Sequence, residues 1–405
     1  MLKKIVEDEK NSSRIPTKLQ ALIASVGTGL FFWGYYIGLV NIKKIPVDVP
    51  FHVKMVCDAC SSGKSVPPNF GFYAPLYIIS LFNCNYINLL AVALFVLGFW
   101  WGVTVYVSAR SVELLLPDST LPGQQTRFLV LLVAVLSCFI FPLPAGSTNY
   151  GLGLLPPNVY HNSTIVGSWP FIIVIFIVAV KRLRAATEVN WRMDILLALL
   201  LVGSAVFKPS YAFAFVPAYG LLYALQVRFR FKALVRLAVP LLPVVLLIIG
   251  QVLWSLAHQE VMLDGGESHI VFALRAGWHT FVPEFTVGHI LGSFVSSFAL
   301  PALAYLICPH WLRRPSHHLA LLSVAFGMVI FMFVYETGIR ATHGNLVWQV
   351  VAANHILHWL ILVEIFFWKT TTRVHYWQRA ALLGFVGVSV VCAFVHMARL
   401  ARIGA

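Results

Sequence analysis

Residues 86–107 read YINLLAVALFVLGFWWGVTVYV, a run of twenty-two residues without a charged side chain. An α-helix rises about 1.5 Å per residue, so about 20 apolar residues cross the roughly 30 Å hydrocarbon core of a bilayer. This stretch is therefore predicted to be a transmembrane helix.

Apolar runs of this kind recur along the whole chain and predict a polytopic membrane protein. Of the 405 residues, 59% are hydrophobic and 11% are charged, whereas soluble domains carry roughly 25% charged residues. The sequence predicts an all-α fold of about eleven transmembrane helices in a single transmembrane domain, residues 1–405. The predicted spans are Leu19–Val40, Tyr86–Val107, Phe128–Phe141, Trp169–Val180, Ile195–Phe207, Tyr211–Leu225, Leu237–Trp254, Ile290–Ile307, Leu319–Tyr335, Leu346–Trp368 and Ala380–His396.

Basic residues predict how these spans are oriented. The first span follows a lysine-rich segment and has no small-residue cleavage site, so it is interpreted as an uncleaved helix with residues 1–18 in the cytoplasm. With alternating spans, twenty of the 29 lysines and arginines then fall on the cytoplasmic side, as the positive-inside rule requires. We expect a multi-pass protein of the cytoplasmic, or inner, membrane.

Much of the net charge of +14 comes from these lysines and arginines on the cytoplasmic side. Basic loops beside a membrane contact anionic lipid headgroups, so membrane lipids are expected partners. Nucleic acid is not an expected partner, because the topology already accounts for much of the excess of basic residues.

The first outer loop, residues 41–85, is the longest segment between two predicted spans. It contains a short amphipathic piece at 53–61 and an apolar stretch at 71–82 that is too short to span comfortably, so both are predicted to be juxtamembrane helices at the membrane surface. Cys57 and Cys60 form a C-x-x-C pair with Cys84 nearby. Because neither a four-ligand metal site nor a βαβ redox context accompanies them, they are interpreted as structural, and their pairing is left open.

Ionisable side chains collect at the outer ends of the predicted spans. Asp48 lies four residues before His52 and is either a helix cap or a catalytic base. Lys208 follows a span among apolar residues and either snorkels or has a function. Glu336 and Arg340 either form an ion pair or belong to a site. The candidate substrate-binding residues are His52, His161, Asn162, Lys208, Ser210, Glu336, Arg340, His343 and Asn345.

With these elements the sequence resembles the GT-C superfamily of integral-membrane glycosyltransferases. The resemblance rests on Asp48 in a long first outer loop, Asn158-Val-Tyr-His161-Asn162, Lys208-Pro209-Ser210 and Glu336-x-Gly-x-Arg340-x-x-His343-Gly344-Asn345. It implies an enzyme that transfers a sugar from a polyprenyl-phosphate-linked donor to a glycan or lipid acceptor, outside the cytoplasmic membrane, in the biosynthesis of cell-envelope polysaccharides.

The resemblance also implies roles for individual residues. Asp48 would be the general base, while Lys208 and Arg340 would stabilise the departing phosphate and the histidines would bind phosphate or acceptor hydroxyls. Many members carry paired acids in this loop, whereas here the next acid is Asp58, ten residues on. No cofactor is therefore assigned, and dependence on a divalent metal ion is left open.

Two other functions fit the same hydropathy. A transporter or flippase of lipid-linked saccharides needs outer cations and ionisable residues near the membrane midplane, for which Glu364 is the main candidate. A polymerase that joins lipid-linked repeat units is the third reading.

Overall fold

The structure is a computed structural model that describes residues 18–41, 48–62, 68–115, 123–139, 162–258, 269–273, 287–337, 345–368 and 373–402. Within these ranges the chain is overwhelmingly helical. The α-helices are α1 Lys18–Asn41, α2 Val49–Ser62, α3 Phe70–Ile79, α4 Tyr86–Leu115, α5 Gly123–Leu136, α6 Ser163–Arg184, α7 Trp191–Phe207, α8 Ser210–Gln226, α9 Phe231–Ala257, α10 Val287–Ile307, α11 Pro315–Phe333, α12 Trp348–Phe367 and α13 Arg373–Arg402.

Seven of these helices are long and apolar enough to cross a membrane: α1, α4, α6, α9, α11, α12 and α13. Three shorter apolar helices cover Phe70–Ile79, Gln124–Leu136 and Phe294–Ile307. The protein is thus an all-α, multi-pass membrane protein, and the total of eleven spans stays a prediction. Each predicted span coincides with a helix, although α5 ends at Leu136 rather than Phe141.

The bundle is organised around α6 and α12. About 89% of the apolar window of α6 and 83% of that of α12 are buried inside the protein, against 28% for α1 and 17% for α9. A helix that is apolar all round is stable only where protein or lipid surrounds it. The inner pair therefore forms the core, while α1, α9 and α13 expose large apolar side chains to lipid.

Small residues allow α1 and α4 to approach closely. A β-carbon added at Gly98 would lie 2.6 Å from the carbonyl oxygen of Gly29, and one added at Gly102 would lie 2.8 Å from that of Ser25. The Ser25 hydroxyl also donates to the Gly102 carbonyl oxygen at 2.7 Å. Packing of this kind, rather than hydrophobic burial, holds helices together in lipid.

Two short strands depart from the all-helical prediction. The helical hydrogen bonding of α11 ends at Phe333, and β2 Val334–Glu336 pairs in antiparallel register with β1 Ile270–Phe272. The predicted ninth span, Leu319–Tyr335, is therefore too long at its outer end. Extended pairing satisfies backbone groups that the end of α11 would otherwise leave open.

In the first outer loop, the two predicted surface helices correspond to α2 and α3. A disulfide bond joins Cys60, near the end of α2, to Cys84, just before α4, with a Cα–Cα distance of 6.2 Å. Cys57 is a free thiol, so the C-x-x-C cysteines do not pair with each other. Burial raises the pKa of Cys57, and the neighbouring Asp58 carboxylate raises it further. The thiol is therefore a poor nucleophile, because the reactive form is the thiolate.

Candidate functional site

Asp48 joins the first outer loop to the core helix α6. It lies immediately before α2, and its Oδ1 accepts a hydrogen bond from the backbone N–H of Ser163, the first residue of α6, at 2.8 Å. Its Oδ2 lies 3.2 Å from Nε2 of His52, one turn along α2. The carboxylate is 15% exposed. It therefore sits at the positive end of α6, where an anion is favoured, and remains accessible from outside the protein.

His52 has a protein partner at each ring nitrogen. Nε2 faces Asp48, and Nδ1 lies 2.6 Å from the hydroxyl of Tyr73 on α3. The ring also contacts those of Phe51 and Phe72 edge-on. These contacts hold the imidazole between α2 and α3, so both of its nitrogens are already engaged.

Asn162 caps the same helix that Asp48 contacts. Its Oδ1 accepts hydrogen bonds from the Ile165 N–H at 3.1 Å and from the Thr164 hydroxyl at 2.8 Å. The residue is only 8% exposed. This is the standard N-cap arrangement.

Lys208 lies between α7 and α8 and is 8% exposed. Its Nζ is 3.4 Å from the Thr164 hydroxyl and 5.3 Å from the centre of the Trp348 ring. Burial lowers the pKa of Lys208 to about 8, while the carboxylates of Asp48 and Glu336 act in the opposite direction. The ammonium thus lies within electrostatic reach of two acids that are far apart in sequence.

Glu336 and Ser210 occupy the edges of this cluster. Glu336 is the last residue of β2 and is partly buried, and its strand partner is Ile270. Ser210 is buried and begins α8, two residues after Lys208. The structure therefore brings together Asp48, His52, Asn162, Lys208, Ser210 and Glu336, where the start of α6 meets the ends of α7 and α11 and the start of α12. We call this region the Asp48 end of the bundle.

Four predicted site residues remain: His161, Arg340, His343 and Asn345. His161, Arg340 and His343 lie outside the described residues. Asn345 begins a short 3-10 turn, Asn345–Val347, that leads into α12. Their predicted roles stay predictions.

Three residues at the Asp48 end were not predicted from the sequence: Tyr73, Thr164 and Trp348. Tyr73 looked like one of many aromatic residues in an apolar stretch, and Thr164 looked like a turn former. Trp348 carried a usable signal, since tryptophans at membrane boundaries anchor helix ends and their faces attract cations. Its pairing with Lys208 depends on how α7 and α12 pack, which hydropathy does not reveal.

A second polar region lies at the opposite end, which we call the Arg182 end. The Arg182 guanidinium, in the last turn of α6, donates to Asp194 at 2.7 Å and contacts the hydroxyl of Tyr223 at 3.3 Å. Glu364, three residues before the end of α12, pairs with Arg314 at 2.5 Å and lies 3.4 Å from His317. Glu364 is therefore near the end of α12 and is paired with a cation.

The polar residues at the middle of α12 are histidines and an asparagine. The His355 ring contacts that of Trp169 on α6 with ring centres 4.3 Å apart and the planes tilted by 32°, and Asn354 donates to the Ser297 carbonyl oxygen of α10 at 3.3 Å. Among the residues that the structure describes, no group of three or more His, Cys, Asp or Glu side chains could hold a metal ion.

The chain matches no protein-family model and no curated protein sequence. The case for its function therefore rests on the Asp48 end itself.

Proposed function

We propose that the protein is a membrane glycosyltransferase that moves a sugar from a polyprenyl-phosphate-linked donor to a glycan or lipid acceptor, with Asp48 as the general base. The observation that carries the proposal is that the first two residues of α6 contact both groups: the Ser163 N–H donates to Asp48 at 2.8 Å, and the Thr164 hydroxyl lies 3.4 Å from Nζ of the buried Lys208. A base and a cation at one membrane boundary are the two groups that transfer from a lipid phosphate requires.

In the proposed reaction, the acceptor hydroxyl oxygen forms a bond to the anomeric carbon of the donor sugar. The bond from that carbon to the phosphate oxygen breaks, and the polyprenyl phosphate leaves with the electron pair. Asp48 accepts the hydroxyl proton, while cations stabilise the charge that develops on the phosphate. Asp48 and Glu336 lie within electrostatic reach of Lys208, so the phosphate needs another cation. Arg340, four residues after Glu336, is the residue that the sequence supplies.

Two features favour an extracytoplasmic site in the cytoplasmic membrane. The helix ends that meet at the Asp48 end are the ends that positive-inside counting assigns to the outer side. That counting takes eleven spans and includes α5, of 14 residues, and α7 and α8, of 17 residues each. The Cys60–Cys84 disulfide lies in the loop that carries Asp48, and disulfides persist mainly in oxidising compartments.

The test is transfer by purified protein in nanodiscs, with undecaprenyl-phosphate-linked hexoses and pentoses as donors and a membrane glycan extract as acceptor. We expect transfer with at least one donor and none in Asp48→Asn. Treatment with a chelator, followed by added Mg²⁺ or Mn²⁺, determines whether a metal ion is required. If labelled donor crosses the membrane intact in proteoliposomes and no sugar is transferred, the protein is a flippase instead.

A further inference from the structure

We propose that His52 is a positioning residue for Asp48 rather than a substrate ligand, and that Tyr73 holds its ring in place. The inference rests on the proposed function only for what Asp48 does chemically. The chain of contacts that carries it is geometric: Tyr73 hydroxyl to His52 Nδ1 at 2.6 Å, then His52 Nε2 to Asp48 Oδ2 at 3.2 Å.

The direction of each hydrogen bond follows from what the end groups can do. An ionised carboxylate only accepts, so the Asp48 contact requires a proton on His52 Nε2. A neutral imidazole then has a lone pair on Nδ1, and the Tyr73 hydroxyl must donate to it. Burial and the Asp48 carboxylate raise the pKa of Tyr73, so the phenol keeps the proton that it donates.

This arrangement leaves His52 without a ring nitrogen for a phosphate or an acceptor hydroxyl. Its side chain is 14% exposed, and the Phe51, Phe72 and Tyr73 rings pack around it. Asp48, in contrast, receives a donor at each oxygen, Ser163 N–H at Oδ1 and His52 at Oδ2. These two donors hold the carboxylate in one orientation.

His52 would affect the reaction by holding the Asp48 carboxylate in position. A base must lie within about 2.6–3.2 Å of the proton that it takes, and groups that lock its rotamer keep that distance. Loss of a comparable contact to a metal ligand typically costs about 10- to 100-fold in activity, and we expect a loss of that order here. The loss should fall on kcat, because the contact acts on the base and not on the bound donor.

The experiment compares His52→Phe, His52→Gln and Tyr73→Phe, with Tyr77→Phe as the matched control one turn further along α3. Glutamine can place an N–H near the Nε2 position, so His52→Gln should keep transfer from the active undecaprenyl-phosphate sugar within about 10-fold, while His52→Phe loses about 100-fold in kcat. Both should leave the KM for that donor within about twofold. A raised KM with unchanged kcat would instead make His52 a substrate ligand and overturn the proposal.

A second measurement is independent of activity. Magnetic resonance of isotope-labelled histidine, assigned by difference from His52→Gln, reports which ring nitrogens carry protons. We expect a neutral His52 protonated at Nε2 in the wild type, in Tyr73→Phe and in Tyr77→Phe, because Asp48 accepts that proton in all three. An imidazolium, or a proton on Nδ1 alone, would refute the positioning scheme. If no variant or wild type transfers sugar, the proposed function fails, while this spectrum still decides the role of His52.

Discussion

Replacing Asp48 with asparagine distinguishes a general base from a residue that only anchors the first outer loop to α6. Asparagine can keep both contacts of Asp48, with Ser163 and with His52. Its side-chain oxygen can accept from the Ser163 N–H as Oδ1 does now, at 2.8 Å. Its amide N–H can donate to His52 Nε2, provided that the imidazole proton moves to Nδ1 and points to Tyr73. The change therefore removes negative charge and basicity while leaving the local geometry in place.

The two readings of Asp48 differ in magnitude. Hydrogen bonds to charged groups contribute about 1.5–3 kcal/mol and those between neutral groups about 0.5–1.5, so two weakened bonds cost roughly 2 kcal/mol of unfolding free energy. Loss of a general base lowers the rate about 10²- to 10⁴-fold, and the middle of that range corresponds to roughly 4 kcal/mol of activation free energy. If Asp48 only anchors the loop, the substitution should lower the unfolding free energy without lowering the rate of transfer.

The assay is sugar transfer in nanodiscs from the undecaprenyl-phosphate donor that the wild type uses, with thermal unfolding followed on the same samples. Asp58→Asn is the matched control, since Asp58 lies on the same helix with an exposed partner, Lys54, at 3.6 Å. We expect Asp48→Asn to stay folded with its rate reduced at least 100-fold, and the control to match the wild type. A folded Asp48→Asn protein with a near wild-type rate would refute the general-base argument.

Three further predictions test the surroundings of the site and the packing of the bundle. Because burial lowers the pKa of Lys208 to about 8, its ammonium deprotonates as pH rises through that value, so the affinity for undecaprenyl phosphate should fall above it. Lys208→Arg should show no such fall in a binding titration, and a flat wild-type profile would place the phosphate elsewhere. Asp194→Ala leaves a buried arginine without its carboxylate and should cost about 3–5 kcal/mol of stability in thermal unfolding, against about 0–1 for Asp58→Ala. Gly98→Ala places a methyl group against the α1 backbone and should lower the unfolding free energy by about 1–3 kcal/mol. In the control Gly27→Ala, the added methyl group has nothing within 4 Å, so the unfolding free energy should hardly change. Equal losses in the two variants would contradict the packing of α1 on α4.

The helices could be predicted from the sequence because their signal is local. A run such as 86–107 must satisfy its own backbone in lipid, so length and apolarity decide its structure. The same reasoning correctly assigned helices to the short pieces that became α2 and α3. It failed at Val334 and Tyr335, the last two residues of the predicted ninth span, where pairing with Ile270–Phe272, more than 60 residues earlier, makes the chain extended.

The site was predictable as a set of residues but not as a set of contacts. Alternating the spans is enough to bring Asp48, Lys208 and Glu336 to one end, since each follows or precedes a predicted helix. The hydrogen bond from Ser163 to Asp48 could not be predicted, because it depends on how the first outer loop folds back onto α6. The pairing of Cys60 with Cys84 rather than Cys57 could not be predicted either. It depends on the folding of the first outer loop, which brings the Cα atoms of Cys60 and Cys84 to 6.2 Å.

The interactions at the two ends of α6 determine which parts of the protein can move. Asp48 accepts from its first N–H, and Asp194 binds Arg182 in its last turn, about 30 Å away along 22 residues. Nearly all of its surface is buried between these ends. A rocking motion of the kind that alternating-access carriers use would break a carboxylate contact at one end or the other if α6 took part. We therefore expect α6 to keep its position during turnover, and hydrogen–deuterium exchange along its buried length should be slow with or without substrate.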